Sequence, residues 1–231
     1  ASDVYKRQDE LFAVIGGSIG GALAWEMAAL KPDLARHIIP IAADLKTSDW
    51  VRAQCRVQAQ ILNNSADPVH DARLHAMTFY RTPESFSEKF RRKKREENGL
   101  FEVENWLLHH GEKLRERFPL SAYKLMNHLL TTIDISRGSG DQIGAAAKIS
   151  GDIHVIAIDS DLFFTAEENR KDLRELSKVK DNIRYSEIAS LHGHDAFLIE
   201  FGQLEKILAP IFNPEKNQKN EKDTYSTVWN R

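Results

Sequence analysis

A serine enclosed by glycines, Gly16-Gly17-Ser18-Ile19-Gly20, stands between an unbroken apolar run at residues 11–15 (LFAVI) and an Ala/Leu-rich stretch at 19–30 (IGGALAWEMAAL). An apolar run without alternation reads as a strand covered on both faces. The Ala, Leu, Met and Glu residues that follow, stopped by Lys31-Pro32-Asp33, read as a helix. The spacing G-x-S-x-G at a strand-to-helix turn is that of a nucleophile elbow. There the serine adopts a strained backbone on a sharp turn, and bulk two positions to either side is expected to collide with the adjoining strand or helix. Gly21 relaxes the packing further. The helix N-terminus directs the Ile19 N–H to where an oxyanion would develop. The dinucleotide pattern G-x-G-x-x-G is not met and no P-loop lysine follows, which argues against phosphate binding at this turn.

Residues 37–42 (HIIPIA) read as the next strand, with Pro40 counting against a central position in a sheet. Strand, glycine turn, helix and strand together make a βαβ unit. From about 48 to 135 the pattern turns helical: 50–62, 69–80, 101–118 and 122–133 carry apolar residues at three- and four-residue spacing. Pro68, Pro83 and Pro119 fall at helix starts. Only Gly99 and Gly111, of twelve glycines, lie between Lys46 and Arg137, as befits helices joined by short turns. The charged stretch 89–97 (KFRRKKREE) reads as a solvated helix face or loop. Its sharper reading is a contact for an anionic group such as a nucleotide phosphate. After 136–140 the α/β pattern resumes, with a strand at 153–158 (IHVIAI), a helix at 166–176, a strand at 182–188 (NIRYSEI) and a helix at 196–212. The polar end reads as a frayed tail. The expected divisions are an α/β core at 1–47, a helical insertion at 48–137, more α/β core at 138–212 and the tail at 213–231.

Charge and composition narrow the function classes. With 32 Lys+Arg against 34 Asp+Glu the net charge is −2, which offers no basic face for nucleic acid. The hydrophobic fraction of 42% beside 29% charged residues is that of a soluble globular chain, and no apolar run approaches the roughly 18 residues of a membrane span. A single cysteine, Cys55, excludes an internal disulfide and fits a reducing compartment. Residues 1–8 (ASDVYKRQ) lack the apolar centre of a signal peptide. The expectation is a cytoplasmic protein that binds neither nucleic acid nor membrane.

A serine nucleophile needs a base, and the base an orienting acid. The run 153–158 leads into Asp159-Ser160-Asp161, at the C-terminal end of a strand, where open α/β sheets gather function. Asp159 continues the strand, whereas Asp161 lies in the loop beyond and is better placed to reach an imidazole, so Asp161 is favoured. Of nine histidines, His70, His75, His109, His110 and His128 fall on helices of the insertion, and His37 and His154 at strand starts. His192 and His194 share the loop LHGHD after the last strand, on the kind of segment where catalysis concentrates. Spacing does not choose between these two. No metal ligand set is expected.

The segments GGSIGGALAWEMA, DARLHAMTFYRTPESF, DSDLFF and HGHDAFLIE, in this order, resemble the homoserine O-acetyltransferases of the α/β-hydrolase superfamily, from about residue 11 to 212. The resemblance implies an α/β-hydrolase fold, a mostly parallel sheet flanked by helices, with the insertion as a helical lid. It puts the nucleophile on Ser18, the acid on Asp161 and the base on His194. It also puts substrate binding on Arg73, with Tyr80 following, and on Asp195. A guanidinium can grip an amino-acid carboxylate bidentately, and a carboxylate can receive the α-ammonium. The implied reaction is ping-pong transfer of acetyl from acetyl-CoA, a co-substrate rather than a resident cofactor, to the hydroxyl of L-homoserine in methionine synthesis. A homodimer through the lid helices is implied as well. Succinyl-CoA as donor, L-serine as acceptor, a plain esterase and a non-catalytic interaction protein are the alternatives.

Three departures accompany the resemblance. The segment between the second strand and Arg73 is shorter than in many relatives. Phe163-Phe164-Thr165-Ala166 replaces a loop that often holds proline. The hydrolase fold also places its elbow after the fifth strand, while Leu11 here has few residues before it. The first strands are therefore expected to be missing, on the order of 100 residues at about 30 per βαβ unit, and with them the second oxyanion donor.

Overall fold

The unbroken apolar runs decide the architecture. The computed structural model describes residues 10–213, so the expectations for 1–8 and for the tail beyond Asn213 lie outside the described residues. In chain order the elements are β1 (Leu11–Gly17), α1 (Ile19–Leu30), β2 (Ala35–Ile41), α2 (Asp49–Asn64), α3 (Pro68–Tyr80), α4 (Pro83–Phe90), α5 (Glu102–Arg115), α6 (Leu120–Thr132) and α7 (Gln142–Ala147). They continue as β3 (Asp152–Ile158), α8 (Ala166–Leu176), β4 (Ile183–Ile188), a 3₁₀ helix (Gly193–Leu198) and α9 (Phe201–Phe212). The four strands lie in the order β1-β2-β3-β4, all parallel.

Both faces of the sheet are covered, which is why its strands show no alternation. Ile38, Ile153 and Val155 pack on one side against Trp25 and Ala28 of α1, Ala146 of α7 and Leu173 and Leu176 of α8. Ile39, Ile41, Ile156, Ile158 and Ile188 pack on the other against Leu204, Ile207, Leu208 and Ile211 of α9. Each such isoleucine contributes about 1.5–3 kcal/mol by leaving water. The result is an α/β fold with a parallel sheet flanked by helices.

Pro40 does not push β2 to an edge: β2 lies between β1 and β3. The β2–β3 pairing runs through His37–Asp152 and Ile38–Ile153 and is next recorded at Ile41–Ile156. Pro40, which has no N–H to donate, falls in that gap and pairs in register with Gly16 of β1 instead.

The helices between β2 and β3 begin where the sequence provides caps. Ser48 accepts from Val51 N at the start of α2, and Thr82 accepts from Ser85 N ahead of Pro83 in α4. Glu104 reaches back to the Phe101 N–H at 2.7 Å to open α5. The two ends of this insertion are stitched together at its base: Thr47 N donates to Ile133 O and Ile135 N to Leu45 O. From there the insertion packs Val51, Cys55, Ala76 and Phe79 against Phe163 and Phe164 of the loop after β3.

Three boundaries depart from the sequence pattern. The helix expected at 196–212 is broken at Ile199 into the 3₁₀ helix and α9, because the first of these is wound around His194. The short α7 is capped by Asp141, which accepts from Gly144 N at 2.7 Å; its six residues are too few to show a period. Within the charged stretch, Lys89 and Phe90 end α4 and residues 91–97 form an exposed loop. Arg95 there pairs with Glu102, while Lys89 lies over the Trp106 ring.

Candidate active site

β1 delivers Ser18 and α1 carries the chain away from it. Ser18 has φ 57° and ψ −126°, a conformation that L-residues rarely adopt. The turn is fixed by backbone hydrogen bonds: Ser18 N donates to Ile41 O at 2.8 Å, and Ser18 O accepts from Gly21 N and Ala22 N. A Cβ on Gly16 would fall on the Gly20 carbonyl, and one on Gly17 would lie 2.6 Å from the Phe197 ring. At Gly21 a Cβ would meet Ala43 Cβ at 2.8 Å, whereas at Gly20 it meets nothing within 4 Å among the described residues. The expected collision on both sides of the serine is thus found at Gly16 and displaced from Gly20 to Gly21. Ile19 is the first residue of α1, where N–H groups have no acceptor within the helix.

Asp161 and His194 come to Ser18 from the ends of β3 and β4. Asp161 Oδ1 accepts from Phe163 N at 2.7 Å and Phe164 N at 3.0 Å, which leaves Oδ2 to face His194 Nδ1 at 2.7 Å. His194 Nε2 lies 2.8 Å from Ser18 Oγ. A carboxylate only accepts, so the proton is assigned to Nδ1, and Nε2 is left to accept from the serine hydroxyl. Both side chains are buried, Asp161 at 4% exposure and His194 at 3%. The imidazole is ringed by aromatics, its centroid 5.4 Å from Tyr80, 5.6 Å from Phe163 and 5.7 Å from Phe164 and Phe197.

The residues beside this relay hold the two loops to each other. Asp159 accepts from Ser190 N at 3.0 Å, and the Ser160 hydroxyl donates to the Ser190 carbonyl. Ser160 Oγ in turn accepts from Gly193 N at 3.1 Å. Gly193 has φ 67°, and a Cβ there would meet Tyr80 O at 3.0 Å. His192 points elsewhere: its Nδ1 accepts from the Arg81 guanidinium at 3.0 Å and lies 3.1 Å from Ser85 Oγ. The choice between His192 and His194, open at the level of spacing, is settled in geometry by Arg81 and Ser85.

Arg73 comes from the middle of α3 and Tyr80 from its C-terminal end, two turns apart. The Arg73 guanidinium stands over the Tyr80 ring at 5.6 Å and has no hydrogen-bond or ion-pair partner among the described residues. Asp195, next to His194, is half-buried and likewise has no hydrogen-bond partner among them. Burial raises its carboxyl above the usual range against the pull of His194, Arg73 and Arg81. Burial also pushes the Tyr80 phenol up to about 12, so it remains a neutral hydroxyl. The arrangement is a serine activated through an imidazole, flanked by one cation and one anion that each retain hydrogen-bonding capacity.

Arg81, Thr82, Ser85 and Ser160 are site residues that sequence reasoning did not single out. Thr82 was accessible as the residue before Pro83 at a helix start; it caps α4 and donates to Leu191 O in the histidine loop. Cys55 is buried, and its thiol is pushed up to about 11 by that burial. A cleft of about 360 Å³ between α2 and α6, lined by Arg52, Cys55 and Lys124 among others, contains none of the relay residues.

No family model matches the chain. It is 34% identical over 213 residues to a homoserine O-acetyltransferase of Chloroherpeton thalassium, an alignment covering 86% of this chain and 55% of that one. The chain thus spans about half the length of the curated relatives it matches. Among solved structures it resembles the homoserine O-acetyltransferase of Staphylococcus aureus with a TM-score of 0.72 and 23% identity, over 98% of this chain and 64% of that one. It also resembles an L374D mutant of esterase E22 with a TM-score of 0.80 and 14% identity, over 91% and 63%. The structural likenesses establish the α/β-hydrolase fold, and by sequence the chain is a homologue of the homoserine O-acetyltransferases, which are acyltransferases.

Proposed function

We propose that the protein is a homoserine O-acetyltransferase, which moves an acetyl group from acetyl-CoA through Ser18 to the hydroxyl of L-homoserine. What carries the reading is the position of Arg73 and Asp195 beside the Ser18–His194–Asp161 relay. They are opposite charges without hydrogen-bond partners among the described residues, suited to the carboxylate and ammonium of a free amino acid. A plain esterase has no use for that pair, although its fold would be the same.

In this reading His194 Nε2 takes the Ser18 proton as Oγ attacks the thioester carbonyl, and the Ile19 N–H helps to stabilise the oxyanion. Collapse expels the CoA thiolate, which takes the proton from His194 and leaves acetyl-Ser18. The homoserine hydroxyl then gives its proton to His194 and attacks the acyl carbon, and Ser18 recovers the proton as O-acetylhomoserine departs. Asp161 holds the imidazole in the required tautomer and stabilises the imidazolium. Tyr80, packed on the imidazole and under the Arg73 guanidinium, positions both. The helical insertion serves as a lid that keeps water from acetyl-Ser18 and as the contact for a homodimer. The setting is methionine synthesis in the cytoplasm.

The test is incubation with acetyl-CoA and no acceptor, followed by intact mass. The expected result is a single acetyl adduct on Ser18, absent in Ser18→Ala and discharged by L-homoserine much faster than by water. Arg73→Ala should still acylate but need about tenfold to a hundredfold more homoserine for discharge, as loss of a charge-assisted contact implies. Adduct formation with equal discharge by water would make the protein an esterase. Failure of acetyl-CoA alongside Ser18 labelling by a fluorophosphonate would retain the nucleophile and reject the donor.

A further inference from the structure

Two histidines stand at strand starts, far from the serine in the fold. β2 brings His37 and β3 brings Asp152 and His154 to the end of the sheet opposite the one that carries Ser18, Asp161 and His194. Strand alternation puts Asp152 and His154 on one face, and His37 is in register with Asp152. That face is the one packed by α9, because His37 and His154 alternate with Ile38, Ile153 and Val155 of the opposite layer. The three side chains therefore converge. His37 Nδ1 lies 3.2 Å from His154 Nε2 and 3.7 Å from Asp152 Oδ2, and all three ligand atoms lie within 4.8 Å of one another.

Those spacings have a chemical meaning. A tetrahedral ion with nitrogen and oxygen ligands at about 2.0–2.2 Å holds neighbouring ligand atoms roughly 3.3–3.6 Å apart. The His37–His154 and His37–Asp152 separations bracket that range, so closure around an ion needs shifts of only tenths of an ångström at those two edges. We propose that His37, Asp152 and His154 form a binding site for a borderline divalent transition-metal ion such as Zn²⁺, joining β2 to β3 at the N-terminal end of the sheet and distinct from the serine site.

The surroundings suit such an ion. His154 is buried, and its Nε2 faces His37 Nδ1 within the cluster. In the metal-free chain His37 Nδ1–H can donate to His154 Nε2. Metal binding requires His37 to move that proton to its own Nε2, a change of tautomer that releases no proton. Asp152 is half-exposed and supplies the negative charge, and its open side admits the ion and a water as fourth ligand. Phe12 closes the site from β1, its ring 5.0 Å from His37 and 5.6 Å from Phe212. One cation opposes binding: Arg184 of β4 is in register with His154. Its removal should tighten the site.

The experiment is titration of the purified chain with Zn²⁺ against a chromophoric chelator, paired with melting curves and with the absorption spectrum of the Co²⁺ form. The expected result is one ion per chain, a Zn²⁺-dependent rise in Tm and a low-symmetry Co²⁺ spectrum. Asp152→Asn, at the exposed position, should weaken binding at least about tenfold and abolish the Tm rise while leaving the metal-free Tm unchanged. His37→Gln should do the same, and Arg184→Ala should bind more tightly. Fluorophosphonate labelling of Ser18 should proceed equally with and without Zn²⁺. Absence of stoichiometric binding, or binding that survives both Asp152→Asn and His37→Gln, would overturn the proposal, the latter by placing the ion on other histidines.

Discussion

Ser18 occupies a backbone conformation that costs of order 1–3 kcal/mol, and its neighbours hold it there through the Ile41 carbonyl and the close approach at Gly16. A second local cost lies behind the relay, at Asp44. Its carboxyl is buried, Oδ1 accepts from Asn169 at 2.9 Å, and Oδ2 has no partner among the described residues. Burial raises its pKa well above the ordinary 3.8, and the negative charges of Asp161, Asp172 and Glu168 add to the shift. The folded state then holds a proton that the unfolded chain has already released. Stability falls as pH rises from 3.8 toward the folded-state value, and above it the penalty is constant. Asp44→Asn removes that penalty and offers an amide N–H at the unpartnered position. Its Tm should exceed the parent's at pH 7, with the difference shrinking as pH falls through the raised folded-state value toward 3.8 and changing no further below it. An equal or lower Tm for the variant at pH 7 would show that the carboxyl is not the source of strain.

At the scale of elements, the helical insertion and the histidine loop are joined by a small set of side chains. Thr82 caps α4 through Ser85 N and donates to Leu191 O, and Arg81 and Ser85 hold His192. Thr82→Val keeps the shape and removes the hydroxyl. It should cost about 1–2 kcal/mol of stability and slow acylation of Ser18, while Thr82→Ser should restore both; full-rate acylation in the valine variant would uncouple α4 from the loop. The elements themselves were largely legible: α1 and α8 occur at the residues expected, α1 ending at the Lys31-Pro32-Asp33 stop. The break at Ile199 was not, because residues 196–212 carry a continuous helical pattern. The tight winding around His194 depends on contacts with Ser160 and Tyr80 that lie far away in sequence. Pro40 misled for a related reason, since a missing N–H is tolerated where the ladder to β3 has a gap.

For the molecule as a whole, the sheet has an edge at β1 that carries exposed apolar side chains. β1 has β2 as its one neighbour among the described strands, and Phe12 and Ile15 on it are 49% and 46% exposed. Leu23, Met27 and Leu30, at helical spacing on one face of α1, are exposed as well, at 49%, 43% and 62%. An edge strand flanked by exposed apolar side chains is a template for association. The 231-residue chain is therefore expected to self-associate as concentration rises, measured by light scattering, and Ile15→Lys with Leu30→Lys should suppress this. A monomer at all concentrations would show that the edge is shielded. The sequence by itself determined the elbow at Ser18, the order in which acid and base follow it, and the sandwiching of buried strands between helices. The elbow and the strands rest on patterns along short stretches of chain, and the order of acid and base on where the strands end. Spacing left His192 and His194 open, the resemblance pointed to His194, and the tertiary structure alone brings His194 to Ser18, leaves Arg73 and Asp195 unpartnered beside it among the described residues, and makes His37, Asp152 and His154 converge. Each depends on which side chains strand register and helix packing bring within about 3–4 Å, across separations of more than a hundred residues on which local spacing carries no information.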